Sequence, residues 1–165
     1  MTTSSAMRTP ARGEERIGSD AVVELVTRAY WMELETAANY LAASVNLDGV
    51  RAAEVAEALA DDVAEEFEHA RRLARRLSEL GGIVPGSLSF TPEQHSLQPL
   101  ADQTDVVRVI EGVLEAEEAA IDGYRDLIEQ CDGIDWVTQD LAIELLGDEE
   151  AHRRRFQGYL REYRP

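Results

Sequence analysis

The strongest constraint on the fold of this chain is a pattern of carboxylates and imidazoles that occurs twice. In each copy a Glu precedes a Tyr by seven residues, and a Glu-x-x-His motif begins 33 residues after that first Glu in one copy and 32 in the other. The copies are Glu33, Tyr40, Glu66 and His69, and Glu117, Tyr124, Glu149 and His152. Together they supply four carboxylates and two imidazoles, which is the ligand set of a carboxylate-bridged dinuclear metal site inside a four-helix bundle.

The spacing of apolar residues predicts four long helices in two similar halves. They run from about Ser19 to Val45, Val50 to Leu80, Thr104 to Cys131 and Asp135 to Tyr163. Apolar residues recur at intervals of three and four, and Glu66, Glu117 and Glu149 lie within these stripes. A charge at a core position is costly unless a metal or another partner compensates it. No segment alternates with period two, so the sequence predicts an all-α fold.

Two short turns and one long crossover connect the predicted helices. The turns lie at residues 46–49 and 132–133, whereas residues 83–103 hold three of the five prolines. Within the crossover, Thr91 is a capping residue and Pro92 suits the first position of a helix, which predicts a short helix from Pro92 to about Leu100. Two hairpins joined in this way form an antiparallel four-helix bundle.

The two Glu-x-x-His motifs can meet in the middle of such a bundle. Residues three apart share a helix face, so each motif projects its Glu and its His together. Glu33 and Glu117 lie at comparable depth on the other two helices, so all six side chains can converge. Two carboxylates then bridge two cations, while each cation keeps one terminal Glu and one His. These donors suit Fe(II), and also Mn(II) or Zn(II); a metal-free polar network would leave buried carboxylates uncompensated.

Several neighbouring residues compete for these roles. Tyr40 and Tyr124 each point towards the site from one heptad after a ligand Glu. We interpret Tyr40 as a hydrogen-bond donor to a ligand carboxylate or as a one-electron donor, whereas Tyr124 suits core filling equally well. On the third helix, Glu115 and Glu118 compete with Glu117, which the helix register favours.

Composition limits the remaining functions. Sixteen cations, all Arg, face 33 carboxylates, and the net charge of −17 attracts metal cations and disfavours duplex DNA. Residues 1–18 are polar and predict a flexible tail, and residues 19–165 predict one domain. No apolar run approaches the roughly 20 residues that span a membrane. Cys131 is the only cysteine, which favours a cytoplasmic location.

These motifs resemble those of the bacterioferritin and Dps-like branch of the ferritin-like superfamily. The similarity covers about Val22 to Leu160 and includes Glu33-Leu34 through Asn39-Tyr40, Glu66-x-x-His69-Ala70 before Leu80-Gly81, and Asp148-Glu149-Glu150-Ala151-His152. It implies a ferritin-like bundle with a ferroxidase centre inside each subunit. The implied iron ligands are Glu33, Glu66, His69, Glu117, Glu149 and His152, with Glu66 and Glu149 bridging. Two irons per subunit would be oxidised by O2 or H2O2, and Fe(III) would be stored in a homo-oligomeric cage.

The chain also departs from its relatives. Bacterioferritins place a haem-ligating Met where this chain has Phe67, so haem is not expected. The chain ends at Pro165 without a fifth helix, and a short crossover helix favours 12 subunits over 24. Dps proteins bind metal between subunits, whereas these residues predict a site within one bundle. Rubrerythrins carry another Glu where Ala120 stands, and the alternative function is a rubrerythrin-like di-iron or di-manganese peroxidase or oxidase without storage.

Three more carboxylates have two interpretations each. Glu35 competes with Glu33 but lies about 160° away at 3.6 residues per turn. Asp61 and Glu65 lie one turn apart on the face of the second helix away from Glu66. They either seed mineral inside a cage or form an ordinary acidic surface.

Overall fold

The computed structural model describes residues 12–164 as four long helices joined by two turns and one crossover. The helices are α1 (Arg12–Asn46), α2 (Ala53–Glu79), α3 (Val106–Cys131) and α4 (Trp136–Tyr163). A single 3-10 turn at Ser87–Ser89 lies in the crossover, and no strand occurs in the described residues. None of the described helices is both long enough and apolar enough to span a membrane. The predicted all-α four-helix fold is confirmed.

Aspartates start the two helices of the second half. Asp105 accepts a hydrogen bond from the backbone N–H of Arg108 at 3.0 Å, and Asp135 accepts one from Thr138 at 3.1 Å. These caps satisfy N–H groups that the first helical turn leaves unpaired. Asp135 also accepts two bonds of 2.9 Å from the guanidinium of Arg76, which ties the start of α4 to the end of α2.

The hydrophobic core is divided into two clusters, one towards each end of the bundle. One includes Tyr40, Leu59, Val113 and Phe156, and the other includes Val26, Leu73, Tyr124 and Leu145. Between the clusters, each helix buries a carboxylate: Glu33, Glu66, Glu117 and Glu149. Full burial of an apolar side chain contributes about 1.5–3 kcal/mol. The two clusters therefore stabilise a fold that carries a polar layer across its middle.

Helix α1 begins earlier than the sequence predicted. It is helical from Arg12, whereas the expected start was near Ser19 after a tail of residues 1–18. Residues 12–18 contain Arg and Glu, which favour helix, and no Pro, and α1 continues through Gly13 and Gly18 although Gly disfavours helix. The first 11 residues of the predicted tail lie outside the described part of the chain.

The short helix predicted at Pro92–Leu100 is wrong. These residues form bends and irregular chain, and the only helical turn of the crossover that the described residues contain is the one at Ser87–Ser89. The carboxylate of Glu35 accepts hydrogen bonds of 2.9–3.0 Å from the backbone N–H groups of Glu93 and Gln94. Those N–H groups are satisfied by a side chain of α1 instead of by a new helix, and the crossover is held against α1.

Candidate metal centre

The six side chains that the sequence singled out as ligands converge in the polar layer between the two hydrophobic clusters. They are Glu33 on α1, Glu66 and His69 on α2, Glu117 on α3, and Glu149 and His152 on α4. None of them is more than 4% exposed. All four helices therefore contribute to one buried group of titratable side chains.

The six side chains form two overlapping sets of ligand atoms. In one set, atoms of Glu33, Glu66, His69 and Glu149 lie within 4.8 Å of one another, and in the other set atoms of Glu66, Glu117, Glu149 and His152 do so. We call these sets the His69 position and the His152 position. Each offers three carboxylates and one imidazole, which is a suitable donor set for one divalent cation.

The carboxylates of Glu66 and Glu149 divide their oxygens between the two positions. Glu149 Oε1 lies 3.1 Å from His69 Nδ1, and its Oε2 lies 3.5 Å from His152 Nδ1. Glu66 Oε2 lies 3.8 Å from His69 Nδ1, and its Oε1 lies 3.4 Å from His152 Nδ1. The carboxylates on α1 and α3 approach one imidazole each, at 3.4 and 3.7 Å. The geometry thus distinguishes two carboxylates placed to bridge from two placed as terminal ligands.

Several buried ligand atoms are left without a partner. Those without a hydrogen bond to any described residue are Glu66 Oε1, His69 Nδ1, Glu117 Oε2, Glu149 Oε1 and His152 Nδ1. An unpaired buried polar atom costs about 1–3 kcal/mol, and a charged one costs more. Cations with oxygen and imidazole ligands would remove this cost at every one of these atoms. The residues present therefore fit a pair of divalent cations.

Two fully buried tyrosines orient the terminal carboxylates. The hydroxyl of Tyr40 donates a hydrogen bond to Glu117 Oε1, and the hydroxyl of Tyr124 donates one to Glu33 Oε1. Each phenol supports the carboxylate of the opposite half and not the one on its own helix. Both tyrosines therefore combine core filling with a hydrogen bond to the centre.

The structure separates the competing glutamates. Glu117 is 1% exposed, whereas Glu115 is exposed and Glu118 accepts hydrogen bonds of 3.1 Å from Arg153 at the surface. Glu35 is buried too, but its carboxylate is taken up by the crossover. The inward-facing glutamates of α1 and α3 are thus the two that the sequence preferred.

Two outer carboxylates contact the histidines from the side opposite the cation positions. Glu65 Oε2 lies 3.2 Å from His152 Nε2, and Asp148 Oδ2 lies 3.4 Å from His69 Nε2. Each directly precedes the Glu of one Glu-x-x-His motif and contacts the histidine of the other. The sequence analysis missed this role of Asp148, and its placement of Glu65 away from the site is wrong, while Asp61 is exposed as expected. The sequence signal for this role is the acidic residue that directly precedes each Glu-x-x-His motif.

Carboxylates raise the pKa of both imidazoles. Burial lowers the pKa of His69, but Glu149 and Glu33 outweigh burial and bring it to about 10. The pKa of His152 is also raised to about 10, because Glu149 and Glu117 outweigh the effect of burial there. Both histidines therefore hold a second proton in the metal-free protein at neutral pH.

The carboxylates themselves titrate unequally. Burial, together with the charges of Glu33 and Glu149, raises the pKa of Glu66 well above its ordinary value. Burial and the charge of Glu149 raise the pKa of Glu117 in the same way. Burial acts in that direction on Glu149 as well, but the two imidazoles outweigh it and bring its pKa to about 2. Protons thus compensate the buried carboxylates in the metal-free protein, and bound cations would displace them.

Comparisons with known proteins agree with this fold. A family model described as a ferritin-like domain matches residues 23–164. A DNA protection during starvation protein from Pyrococcus furiosus is 27% identical over 150 residues, which cover 88% of this chain and 81% of that protein. A bacterioferritin from Brucella melitensis is 29% identical over 136 residues, which cover 82% of this chain and 80% of that protein.

The fold is shared with a solved bacterioferritin from Rhodobacter capsulatus, whose structure is described as having a metal-free dinuclear site and a haem iron. The TM-score is 0.74 at 23% identity, and the match covers 87% of this chain and 86% of that one. In the present chain Phe67 follows Glu66 on α2 and is 52% exposed. Its side chain has no atom that can ligate a haem iron.

Proposed function

Since the chain belongs to the ferritin-like family, we propose that it oxidises Fe(II) to Fe(III) at the two cation positions and stores the product in a homo-oligomeric cage. The observation that carries this proposal is the division of the Glu66 and Glu149 oxygens between the two positions. Two Fe(II) substrates held side by side supply two electrons, which O2 takes up with two protons to give H2O2, or H2O2 takes up with two protons to give water.

The protein residues prepare the two positions for this substrate. The terminal carboxylates of Glu33 and Glu117 are oriented by the buried phenols, so each iron meets an oxygen that is already in place. His69 and His152 supply Nδ1 to one iron each and keep a proton on Nε2 for the outer carboxylates. Tyr40 lies one hydrogen bond from a ligand and is placed to donate a single electron. Mn(II) or Zn(II) would find the same donors.

An uncharged stretch of α1 supports the homo-oligomer. Between Ala29 and Leu47 the only charged residues are Glu33 and Glu35, and both are buried. Leu41 and Val45 in this stretch are 53% and 75% exposed. Copies with a net charge of −17 repel one another, and the repulsion is smallest where the contact surface carries no charge. This side of α1 therefore favours packing against another copy.

The conformation of the crossover bears on the number of subunits in the proposed cage. The sequence argument for 12 subunits over 24 depended on a short crossover helix at Pro92–Leu100, and that part of the described chain is not helical. The argument therefore no longer applies.

Aerobic loading with excess Fe(II), followed by size-exclusion chromatography with iron measured across the protein peak, tests the proposal. We expect iron far above two per subunit in a cage-sized peak. E149A should lose rapid Fe(II) oxidation, because it removes an oxygen from both positions. E150A is the matched control, since the neighbouring Glu150 is exposed and pairs with Arg125. Oxidation that survives in E149A would contradict the assigned centre.

A second candidate function is a di-iron or di-manganese peroxidase or oxidase without storage. The favouring observation is that all six ligand side chains come from one chain, so the chemistry does not require assembly. About two metals per subunit in a small species, with turnover of H2O2, would support this function and remove the storage proposal.

A further inference from the structure

The two halves of the centre differ in the carboxylates available to their histidines. On the His152 side, Glu65 Oε2 lies 3.2 Å from His152 Nε2, and Asp62 Oδ1 lies 4.0 Å from the same nitrogen. Asp62 stands four residues before Glu66, and the residue four before Glu149 is Leu145. Leu145 is fully buried in the hydrophobic core. The first half thus has a carboxylate that the second half lacks.

Asp62 is held in a fixed place. It is 2% exposed, and its Oδ2 accepts a hydrogen bond from the guanidinium of Arg155. Its other oxygen, Oδ1, is the one that faces His152. A buried carboxylate is retained in a fold only when it is paired, and Arg155 supplies that pairing. The second carboxylate oxygen of Asp62, Oδ1, is therefore held near the imidazole of His152 and does not face solvent.

Glu65 is placed differently. Its side chain is 47% exposed, although its carboxylate contacts His152. One of its oxygens also lies within 4.8 Å of ligand atoms of His69 and Asp148. Glu65 therefore reaches solvent and the outer edges of both histidines.

Atoms of Asp62, Glu65 and His152 lie within 4.8 Å of one another, as metal ligands would. This group holds a hydrogen bond instead of a cation when His152 gives its other nitrogen to the centre. A neutral histidine that gives Nδ1 to a cation carries its proton on Nε2. That nitrogen is a hydrogen-bond donor, so the two carboxylates compete to accept from it. An acceptor at this position fixes the ring and increases its basicity towards the metal.

We propose that Asp62 is a reserve acceptor for the Nε2 proton of His152, which frees Glu65 to bind divalent cations that pass between solvent and the centre. When Glu65 turns outward, a movement of about 1 Å brings Asp62 Oδ1 within hydrogen-bond distance of the imidazole. His152 then keeps its orientation while its first partner carries a cation. Asp62 is a positioning residue in this scheme. The inference rests on the proposed function, because it requires cations that enter and leave.

Anaerobic equilibrium titration of the full-length protein with Zn(II), which does not change oxidation state, tests the proposal. E65A should bind two Zn(II) per subunit with wild-type affinity, because Asp62 accepts the hydrogen bond from His152 Nε2–H instead. D62A should also retain both, because Glu65 remains. The double variant D62A/E65A should bind one Zn(II) about 10- to 100-fold more weakly, which is the usual effect of removing an outer partner of a metal ligand.

A conservative variant and the rate of Zn(II) uptake distinguish a positioning role of Asp62 from a general loss of structure. D62N/E65A keeps an oxygen for Arg155 but turns an amide NH2 towards His152 Nε2, so it should bind one Zn(II) as weakly as D62A/E65A, even if D62A/E65A unfolds. Stopped-flow Zn(II) uptake should be slower in E65A, which lacks the proposed carrier, and in D62N, which lacks the acceptor that frees Glu65. A loss of one Zn(II) site in E65A alone would overturn the proposal. So would equal affinities of E65A and either double variant in its folded state.

The same titration distinguishes this proposal from the proposed function. Failure of the wild-type protein to bind two Zn(II) ions would remove the dinuclear centre itself. Two-site binding with the expected pattern of variants, but without Fe(II) oxidation, would keep the role of Asp62 and remove the ferroxidase activity.

Discussion

The hydroxyl of Tyr40 donates a hydrogen bond to Glu117, so a phenol on α1 holds a buried carboxylate on α3. Tyr124 and Glu33 form the same contact in the opposite direction. Two buried hydrogen bonds therefore join α1 and α3 at the level of the centre. Both phenols are fully buried, and water cannot replace either bond.

Replacing either phenol tests this link. Y40F leaves a buried oxygen of Glu117 unpaired, and we expect it to lower the free energy of unfolding of the metal-free protein by about 1–3 kcal/mol. It should also weaken cation binding at the His152 position, whereas Y124F should weaken the His69 position. Urea unfolding and Zn(II) titration measure these effects, and Y30F at a half-buried tyrosine of α1 is the control. If Y40F and Y30F behave alike, the phenols only fill space.

The centre makes the stability of the metal-free protein depend on pH. The pKa values of His69 and His152 are raised to about 10, against about 6.5 in the unfolded chain. Between these values the folded protein binds more protons than the unfolded chain, so stability falls as pH rises. The contribution is complete below pH of about 6.5 and is lost as the pH approaches about 10. The raised pKa values of Glu66 and Glu117 act in the same direction.

Thermal unfolding of chelator-treated protein across this pH range is the corresponding measurement. Saturation with Zn(II) should flatten the dependence, because cations displace the protons, and Zn(II) affinity should rise with pH. A melting temperature of the metal-free protein that stays constant or rises from neutral to alkaline pH would contradict the prediction.

Glu33 and Glu35 are two residues apart but serve different parts of the structure. E35A removes the acceptor for the Glu93 and Gln94 N–H groups, and we expect a loss of about 1–3 kcal/mol in unfolding free energy. Hydrogen exchange should increase in the crossover, while Zn(II) binding is retained. E33A should show the converse, with weaker binding at the His69 position and an unchanged crossover. The prediction fails if E35A loses metal and E33A retains it.

The haem prediction has a direct spectroscopic test. A haem iron needs axial ligands such as Met or His, and Phe67 supplies no such atom. We expect titration of the wild-type protein with haemin to produce no stoichiometric shift of the Soret band. F67M introduces a thioether at this exposed position and is the matched variant. A shifted Soret band at a fixed ratio of haem to wild-type subunits would overturn the expectation.

The convergence of the six side chains could be predicted because it follows from helix geometry. The i to i+3 spacing fixes the shared direction of Glu66 and His69, and the register of α3 separates Glu117 from Glu118. The approach of Asp62 to His152 could not be predicted in this way, because Asp62 is held by Arg155 of another helix.

The prediction of a short helix in the crossover was wrong for a related reason. The local pattern from Thr91 onward is a good helix start, but the acceptor that determines the conformation is Glu35, 58 residues before Glu93 in the chain. Local signals describe what a segment prefers on its own. A buried carboxylate from another element offers the N–H groups of that segment a competing partner. This contact exists only in the assembled bundle.

The division of the hydrophobic core into two clusters bears on how the bundle unfolds. In the metal-free chain each end has its own apolar contacts, and the ends meet at a layer of buried polar side chains, several of whose atoms have no hydrogen-bond partner. Cations bound at that layer would join side chains of all four helices at the level where the bundle has the fewest apolar contacts. We expect metal content to determine the cooperativity of the molecule, with two separable folding units in its absence and one in its presence.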